Sequence, residues 1–130
     1  MKDAVPEENI QALRKLCKDS REGHIVSDVE SMKRERQVKQ DAWNFLPTDL
    51  YNQIQIHCTW KRTELGGKLW SCKRLGATVI FDDSPEVCRE CLQDGMMVHA
   101  ICTKWCRHGD LPQSLVFNTF AEAVEAYLDI

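Results

Sequence analysis

Cysteines and histidines are the residues of this chain best suited to chemistry, and most of them lie between residues 72 and 108. Cys88 and Cys91 form a Cys-x2-Cys pair, and Cys102 and Cys106 form a Cys-x3-Cys pair. Thiolates at such short spacings are typical ligands of a tetrahedral zinc ion. We therefore predict one zinc ion held by these four cysteines. A shell of four protein ligands leaves no position for water, so this zinc would be structural.

Three further residues compete for places in the predicted zinc site. His99 lies between the two cysteine pairs, His108 is an alternative to Cys106, and Cys72 is within reach on a neighbouring element. Two other interpretations stay open: reduced thiols packed as small hydrophobic side chains, or disulfides. The seven cysteines cannot all pair, and the N-terminus lacks the apolar region of a secretory signal. These observations predict an intracellular protein, cytoplasmic or nuclear and not secreted, and they favour metal over disulfides.

A second group of residues has the chemistry of nucleic-acid recognition. Between Lys61 and Arg74 the cations are opposed only by Glu64, and two tryptophans lie beside them. Cations neutralise phosphates and flat rings stack on bases, which is what a single RNA strand requires. The alternative is that both tryptophans pack in the core and the cations are a solvated turn. The residues of this predicted hairpin, within residues 57–74, are Trp60, Lys61, Arg62, Lys68, Trp70, Lys73 and Arg74.

Signals of catalysis are scarce in the sequence. It contains no Gly-rich phosphate loop, no Gly-x-Ser-x-Gly and no His-Glu-x2-His. His57 and Cys58 are neighbours on a predicted strand, so they point to opposite faces and do not form a dyad. Asp82 and Asp83 are suited to hold a metal ion with other carboxylates, but two acids after a strand more often mark a turn. We therefore expect a protein that is not an enzyme.

The first part of the chain is predicted to be helical. One helix is expected after Pro6. The sequence from Ser27 to Glu30 matches a capping box, which predicts a second helix that ends before Pro47. Because the middle of this helix is almost wholly polar, we expect residues 27–46 to be exposed or to form a homodimer. Residues 1–46 are thus predicted to be a helical arm and residues 47–130 a body.

The body is predicted to contain a small antiparallel sheet. From Ile54 to Trp60 apolar and polar residues alternate, which is typical of a half-buried strand. Gly66-Gly67 predicts a turn into a second strand over residues 68–72, and Ala77–Phe81 is the third and most apolar strand candidate. We expect these strands to form an antiparallel meander. A second capping box at Thr119–Glu122 predicts a C-terminal helix that packs on the sheet.

The predicted class is α+β: a helical N-terminal arm, an antiparallel meander, a zinc-stapled loop region and a C-terminal helix. With 43% apolar and 28% charged residues, the composition is ordinary for a soluble globular chain of 130 residues. No apolar run approaches the ~20 residues of a membrane-spanning helix. The net charge of -3 excludes a uniformly basic nucleic-acid binder.

These patterns favour a small regulatory or adaptor protein that has a structural zinc and binds a protein partner. Because the net charge of the chain is negative, a dedicated nucleic-acid binder is less favoured than a protein that binds a protein partner. The alternative is a zinc-stabilised RNA-binding regulator or suppressor that uses the hairpin at residues 57–74. Short, cysteine-rich chains with a charged arm are common among viral and phage accessory proteins, which is an analogy of composition.

Overall fold

The computed structural model describes residues 5–19, 23–60 and 67–129, and these residues form six α-helices and five strands. The mixed helix-and-sheet class predicted from the sequence is therefore confirmed. The helices are α1 (Glu7–Asp19), α2 (Met32–Phe45), α3 (Thr48–Gln53), α4 (Gly67–Arg74), α5 (Pro85–Gln93) and α6 (Phe120–Leu128). The strands are β1 (Gly23–Val29), β2 (Ile54–Trp60), β3 (Val79–Asp82), β4 (Met97–Ile101) and β5 (Val116–Phe117), with a 3-10 turn at Gln113–Leu115.

The strands form two small parallel sheets within the described residues. β1 pairs with β2 along its whole length. β3, β4 and β5 form the second sheet in that order, with Asp82 opposite Ala100. The predicted antiparallel meander is therefore wrong. A parallel pair needs a long crossover rather than a tight turn. Helices α2 and α3 lie between β1 and β2, α5 lies between β3 and β4, and a loop with the 3-10 turn lies between β4 and β5.

The error in the predicted meander lies in residues 68–72, which belong to helix α4. Leu69 and Cys72 are three residues apart, a helical spacing, and both pack into the same apolar cluster. The run is too short for helical periodicity to stand out against the glycine turn that precedes it. Helix α4 therefore takes the place of the predicted second strand, and β2 and β3 belong to different sheets.

The predicted start of the second helix at Ser27 is also wrong, because β1 continues through that residue. The helix α2 begins at Met32, and the N-cap is Ser31, whose Oγ accepts a 3.1 Å hydrogen bond from the backbone N of Arg34. The residues before Ser27 are β-branched and pair with β2, so strand pairing outcompetes the cap. The division into an arm and a body at residue 46 stays a prediction, although β1 and β2 come from either side of it.

Other sequence-based expectations are confirmed. The N-cap of α6 is Thr119, whose Oγ1 accepts from the backbone N of Glu122 at 3.1 Å. Helix α2 has no buried residue, as its polar middle predicted. Its pairing with a second copy stays a prediction. Among the described helices, none has the length and apolar character to cross a membrane.

Two apolar clusters fix the sheets to their helices. The larger cluster joins α4 and α5 to the second sheet, and its fully buried members are Cys88, Cys91 and Ala100. The smaller cluster joins α1 and α3 to the first sheet through Ile10, Leu50 and Ile54. Helix α6 packs on α1, β4 and β5. The helices therefore hold the ends of β1, β2 and β3 at fixed positions.

Candidate active site

Polar side chains from three strand ends meet at the start of α4. On β1, the Oδ1 atom of Asp28 accepts a 2.6 Å hydrogen bond from Oγ1 of Thr59 on β2. On β3, the Oδ2 atom of Asp82 accepts a 2.9 Å hydrogen bond from Nζ of Lys68 on α4. Gly67, the first residue of α4, lies against the carboxylate of Asp28. The arrangement thus combines two carboxylates, one ammonium and one hydroxyl at the carboxyl ends of the strands.

The pair of Asp28 and Thr59 is set by strand register. These residues are direct partners in the parallel ladder, so their side chains lie side by side. Asp28 is half-buried, whereas Thr59 is buried. Gly67 has a φ of 58°, and a Cβ added there would lie 3.2 Å from Oδ1 of Asp28. Glycine therefore both permits the left-handed backbone and lets α4 begin close to this carboxylate.

The pair of Lys68 and Asp82 is largely removed from water. The side chain of Lys68 is 18% exposed and that of Asp82 is 7% exposed. Burial alone would lower the pKa of Lys68, but Asp82, with smaller contributions from the charges of Asp28 and Asp83, raises it above the ordinary value. The backbone N of Ser84 donates a 2.8 Å hydrogen bond to the other carboxylate oxygen of Asp82. Lys68 is therefore cationic at neutral pH and held in one place.

A buried ion pair at this position is more informative about function than about stability. Desolvation of two charges offsets most of their attraction, so such pairs are weak evidence of a stabilising role. Charged groups held in a cleft are, in contrast, frequent at functional sites. An ammonium group binds anions, and carboxylate oxygens bind hard divalent cations. The cationic group of the site suits a negatively charged ligand.

A cleft of about 740 Å³ adjoins this ion pair. It runs between β1 and β3, and Lys68, Asp82 and Asp83 line one part of it. Elsewhere its walls are mainly apolar and include Phe120 and Tyr127 of α6. A cleft of this size accommodates a small molecule or part of a larger one.

The four predicted zinc ligands are divided between a helix and a loop. Cys88 and Cys91 lie on α5 and are 0% exposed. Burial raises the pKa of each of these two thiols to about 12. Cys102 and Cys106 follow β4; the Sγ of Cys102 lies 3.7 Å from the carbonyl O of Arg107. The two buried thiols thus behave as core side chains, whereas the other two lie closer to the surface.

The three rival ligands are scattered as well. His108 is buried, with Nε2 2.9 Å from the carbonyl O of Ile101 and Nδ1 3.8 Å from the Sγ of Cys106. His99 stacks on aromatic rings of the second sheet, and Cys72 belongs to the core. In the described parts of the chain, no three His, Cys, Asp or Glu side chains are grouped so that they could hold a metal ion. The zinc site therefore stays a prediction from spacing.

The predicted nucleic-acid hairpin is a helix where the structure describes it. Lys68, Trp70, Lys73 and Arg74 all lie on α4. The guanidinium carbon of Arg74 is 4.7 Å from the centre of the half-buried Trp70 ring, and Nζ of Lys73 is 3.3 Å from a carboxylate oxygen of Asp94. Lys61, Arg62 and the side chain of Trp60 lie outside the described residues.

Sequence reasoning missed Asp28 and Thr59, and it assigned Lys68 to a different surface. The missed signal is the polar residue near the end of each strand: Asp28 and Thr59 are the second-last residues of β1 and β2, and Asp82 is the last residue of β3. Had the strands been predicted as parallel, their final polar residues would have been expected at one edge, where open α/β sheets bind ligands. The capping box at Ser27–Glu30 predicted a helix at Asp28, and the antiparallel assumption separated Thr59 from Asp82.

Comparisons of this chain with protein-family models, curated proteins and solved structures gave no match.

Proposed function

We propose that this protein catalyses phosphoryl transfer, in the form of phosphate-monoester hydrolysis, with Asp28 as the nucleophile. The observation that carries the proposal is the meeting of the Asp28–Thr59 and Lys68–Asp82 pairs at the ends of β1, β2 and β3. β1 and β2 belong to one sheet and β3 to the other, and open α/β sheets bind ligands at the carboxyl ends of their strands. A site that combines a carboxylate nucleophile with a fixed cation suits a phosphate group better than a neutral substrate.

Asp28 is placed to attack phosphorus. The hydroxyl of Thr59 holds Oδ1 and so orients the carboxylate. In the first step Oδ2 forms a bond to phosphorus, the bond from phosphorus to the leaving oxygen breaks, and that oxygen takes a proton from water. In the second step a water molecule attacks the phosphorus of the aspartyl phosphate. Inorganic phosphate leaves and the carboxylate of Asp28 is restored.

Lys68 supplies the fixed positive charge of the proposed site. Negative charge is spread over the phosphoryl oxygens in the transition state, and a cation already in place stabilises it without reorganisation. The hydrogen bond from Lys68 to Asp82 restricts the long side chain to one position. Asp82 is therefore proposed as the residue that positions Lys68.

A divalent cation is expected to complete the charge balance, because a phosphate monoester carries about two negative charges at neutral pH. Mg²⁺ usually takes one or two protein carboxylates, with water and the substrate phosphate as its other ligands. Asp28 and the exposed Asp83 would supply such oxygens, because both carboxylate oxygens of Asp82 already accept hydrogen bonds from Lys68 and Ser84. When bound, the ion would supply further positive charge at the phosphoryl oxygens.

The test is the release of phosphate from p-nitrophenyl phosphate in the presence of Mg²⁺. Asp28→Asn is expected to lower kcat by about 10³-fold or more, because the amide is a poor nucleophile. Asp49→Asn is the matched control, since Asp49 is an exposed aspartate on α3 that pairs with Arg14. Absence of Mg²⁺-dependent turnover by the wild-type chain, or full activity of Asp28→Asn, would rule the proposal out.

A binding role as a regulator or adaptor is the second candidate function. Met32 and Trp43 of α2 are 58% and 59% exposed. Methionine and tryptophan are enriched at protein interfaces, so this helix suits a protein partner or a second copy of the chain. Sedimentation over a range of concentrations, with Trp43→Ala for comparison, tests the second copy. A monomer at all concentrations would reject the homodimer.

A further inference from the structure

Trp105 is more exposed than any other large hydrophobic side chain in the described parts of the chain. The residue is 85% exposed and lies on the loop that follows β4. The hydroxyl of Thr103 accepts hydrogen bonds from the backbone N of Trp105 and of Cys106, at 3.1 and 3.0 Å. The backbone N of Thr103 donates to the carbonyl O of Cys106 at 2.9 Å. The ring is therefore presented on an ordered turn.

The charges around Trp105 are positive. The Nζ of Lys104 lies 5.0 Å from the centre of the tryptophan ring. Arg107 is exposed and donates a 3.2 Å hydrogen bond to the side chain of Asn118. The nearby carboxylate of Asp110 is engaged by Arg89 at 2.6 Å. An accessible aromatic ring with a cation against one face and a second cation two residues along the chain is a combination that suits single-stranded nucleic acid.

This loop lies at the same edge as the candidate active site. Asp82 at the end of β3 is opposite Ala100, and the chain leaves β4 one residue later, at Ile101. The thiol of Cys88 lies 3.5 Å from the carbonyl O of Asp82. Because β3 and β4 are parallel strands of one sheet, the loop with Trp105 begins at the same edge of that sheet as Asp82, the partner of Lys68.

We infer that Trp105, Lys104 and Arg107 bind a single strand of nucleic acid, which makes nucleic-acid phosphate esters the substrate class of the site at Asp28. One base stacks on the ring face opposite Lys104, and the two cations contact the phosphates on either side. A protein partner would require Trp105 to be desolvated within an apolar surround, and its neighbours here are cations. The substrate part rests on the proposed function, whereas the binding part does not.

The experiment measures binding of a fluorescent single-stranded oligonucleotide with a terminal phosphate to the Asp28→Asn chain, in which turnover is blocked. Adding Trp105→Ala is expected to weaken binding by about 5- to 150-fold, the usual worth of one stacked base. Adding Lys104→Ala should reduce the slope of log affinity against log salt by about 0.7. Met97→Ala, which truncates an exposed hydrophobic side chain at the opposite end of β4, is the control and should leave affinity unchanged.

Two further measurements separate the possible outcomes. Trp105→Tyr keeps an aromatic ring, so retained binding by this variant together with an unchanged Tm would support stacking over a general loss of structure. No oligonucleotide binding, or equal losses in Trp105→Ala and Met97→Ala, would overturn the inference. Turnover of p-nitrophenyl phosphate without oligonucleotide binding leaves the proposed function standing and removes this inference. Binding without any turnover supports the surface and removes the substrate assignment.

Discussion

The group at the strand ends and the cysteine-rich segment place chemically reactive residues in opposite ways. Asp28, Thr59, Lys68 and Asp82 are far apart in the sequence and meet in the fold. The cysteines between residues 88 and 106 are close in the sequence, yet α5 directs two of them into the core. Short spacing is therefore a good indicator of a site only where the local backbone lets the side chains converge.

The two regions also differ in how burial acts on their ionisable groups. Burial without a counter-charge raises the pKa of Cys88 to about 12, which keeps the thiol protonated. Lys68 is half-buried, but the charges of Asp82, Asp28 and Asp83 more than offset its desolvation and raise its pKa, which keeps the ammonium charged. The cysteine-rich segment thus contains neutral thiols that pack in the core, whereas the group at the strand ends contains charged side chains that are suited to bind a substrate.

The largest effects on stability and activity are expected from variants of the ion pair between Lys68 and Asp82 at the strand ends. Lys68→Met alone should destabilise the fold by about 3–5 kcal/mol, because it leaves a buried carboxylate unpaired. The double variant Lys68→Met with Asp82→Asn removes both charges, so it should fold while losing about 10²- to 10³-fold in kcat. Thermal unfolding and p-nitrophenyl phosphate turnover are measured on both variants. A folded double variant with wild-type activity would contradict the role given to Lys68.

An intermediate effect is expected from the cysteines, and it separates zinc ligation from core packing. Cys91→Ser places a hydroxyl in the core and should cost about 1–3 kcal/mol. Cys102→Ser lies nearer the surface and should change stability by no more than about 0.5 kcal/mol if no metal is bound. If one zinc is bound, both serine variants lose it, and a chelator lowers the Tm of the wild-type chain. The packing of Cys88 and Cys91 favours the outcome without metal, in which Cys91→Ser is destabilising and Cys102→Ser is not. Metal analysis of protein prepared under reducing conditions checks this expectation.

The parts of the fold that were predictable from the sequence are those set by local patterns. The alternation from Ile54 to Trp60 predicted β2, and the capping box at Thr119 predicted α6. Strand direction was not predictable in this way, because the pairing of β1 with β2 joins residues about thirty positions apart. The candidate site depends on that direction, so Asp28 could not be recognised from its own neighbours. Among the residues of the candidate site, only Asp82, with its neighbour Asp83, was predicted from the sequence to be suited to a metal ion.

The smallest effect tests the competition between strand and cap in the segment from Ser27 to Ser31. Both serines are suited to cap a helix, but only Ser31 accepts a hydrogen bond from a helix backbone, at 3.1 Å from the N of Arg34. Ser31→Ala should therefore cost about 1 kcal/mol in the free energy of unfolding. Ser27→Ala should cost no more than about 0.5 kcal/mol, because Ser27 lies within β1 opposite Cys58 and caps nothing. Urea unfolding of the two variants measures the difference. A larger loss from Ser27→Ala would mean that the helix begins where its capping box predicted and that β1 ends earlier, which would also move Asp28 away from Thr59.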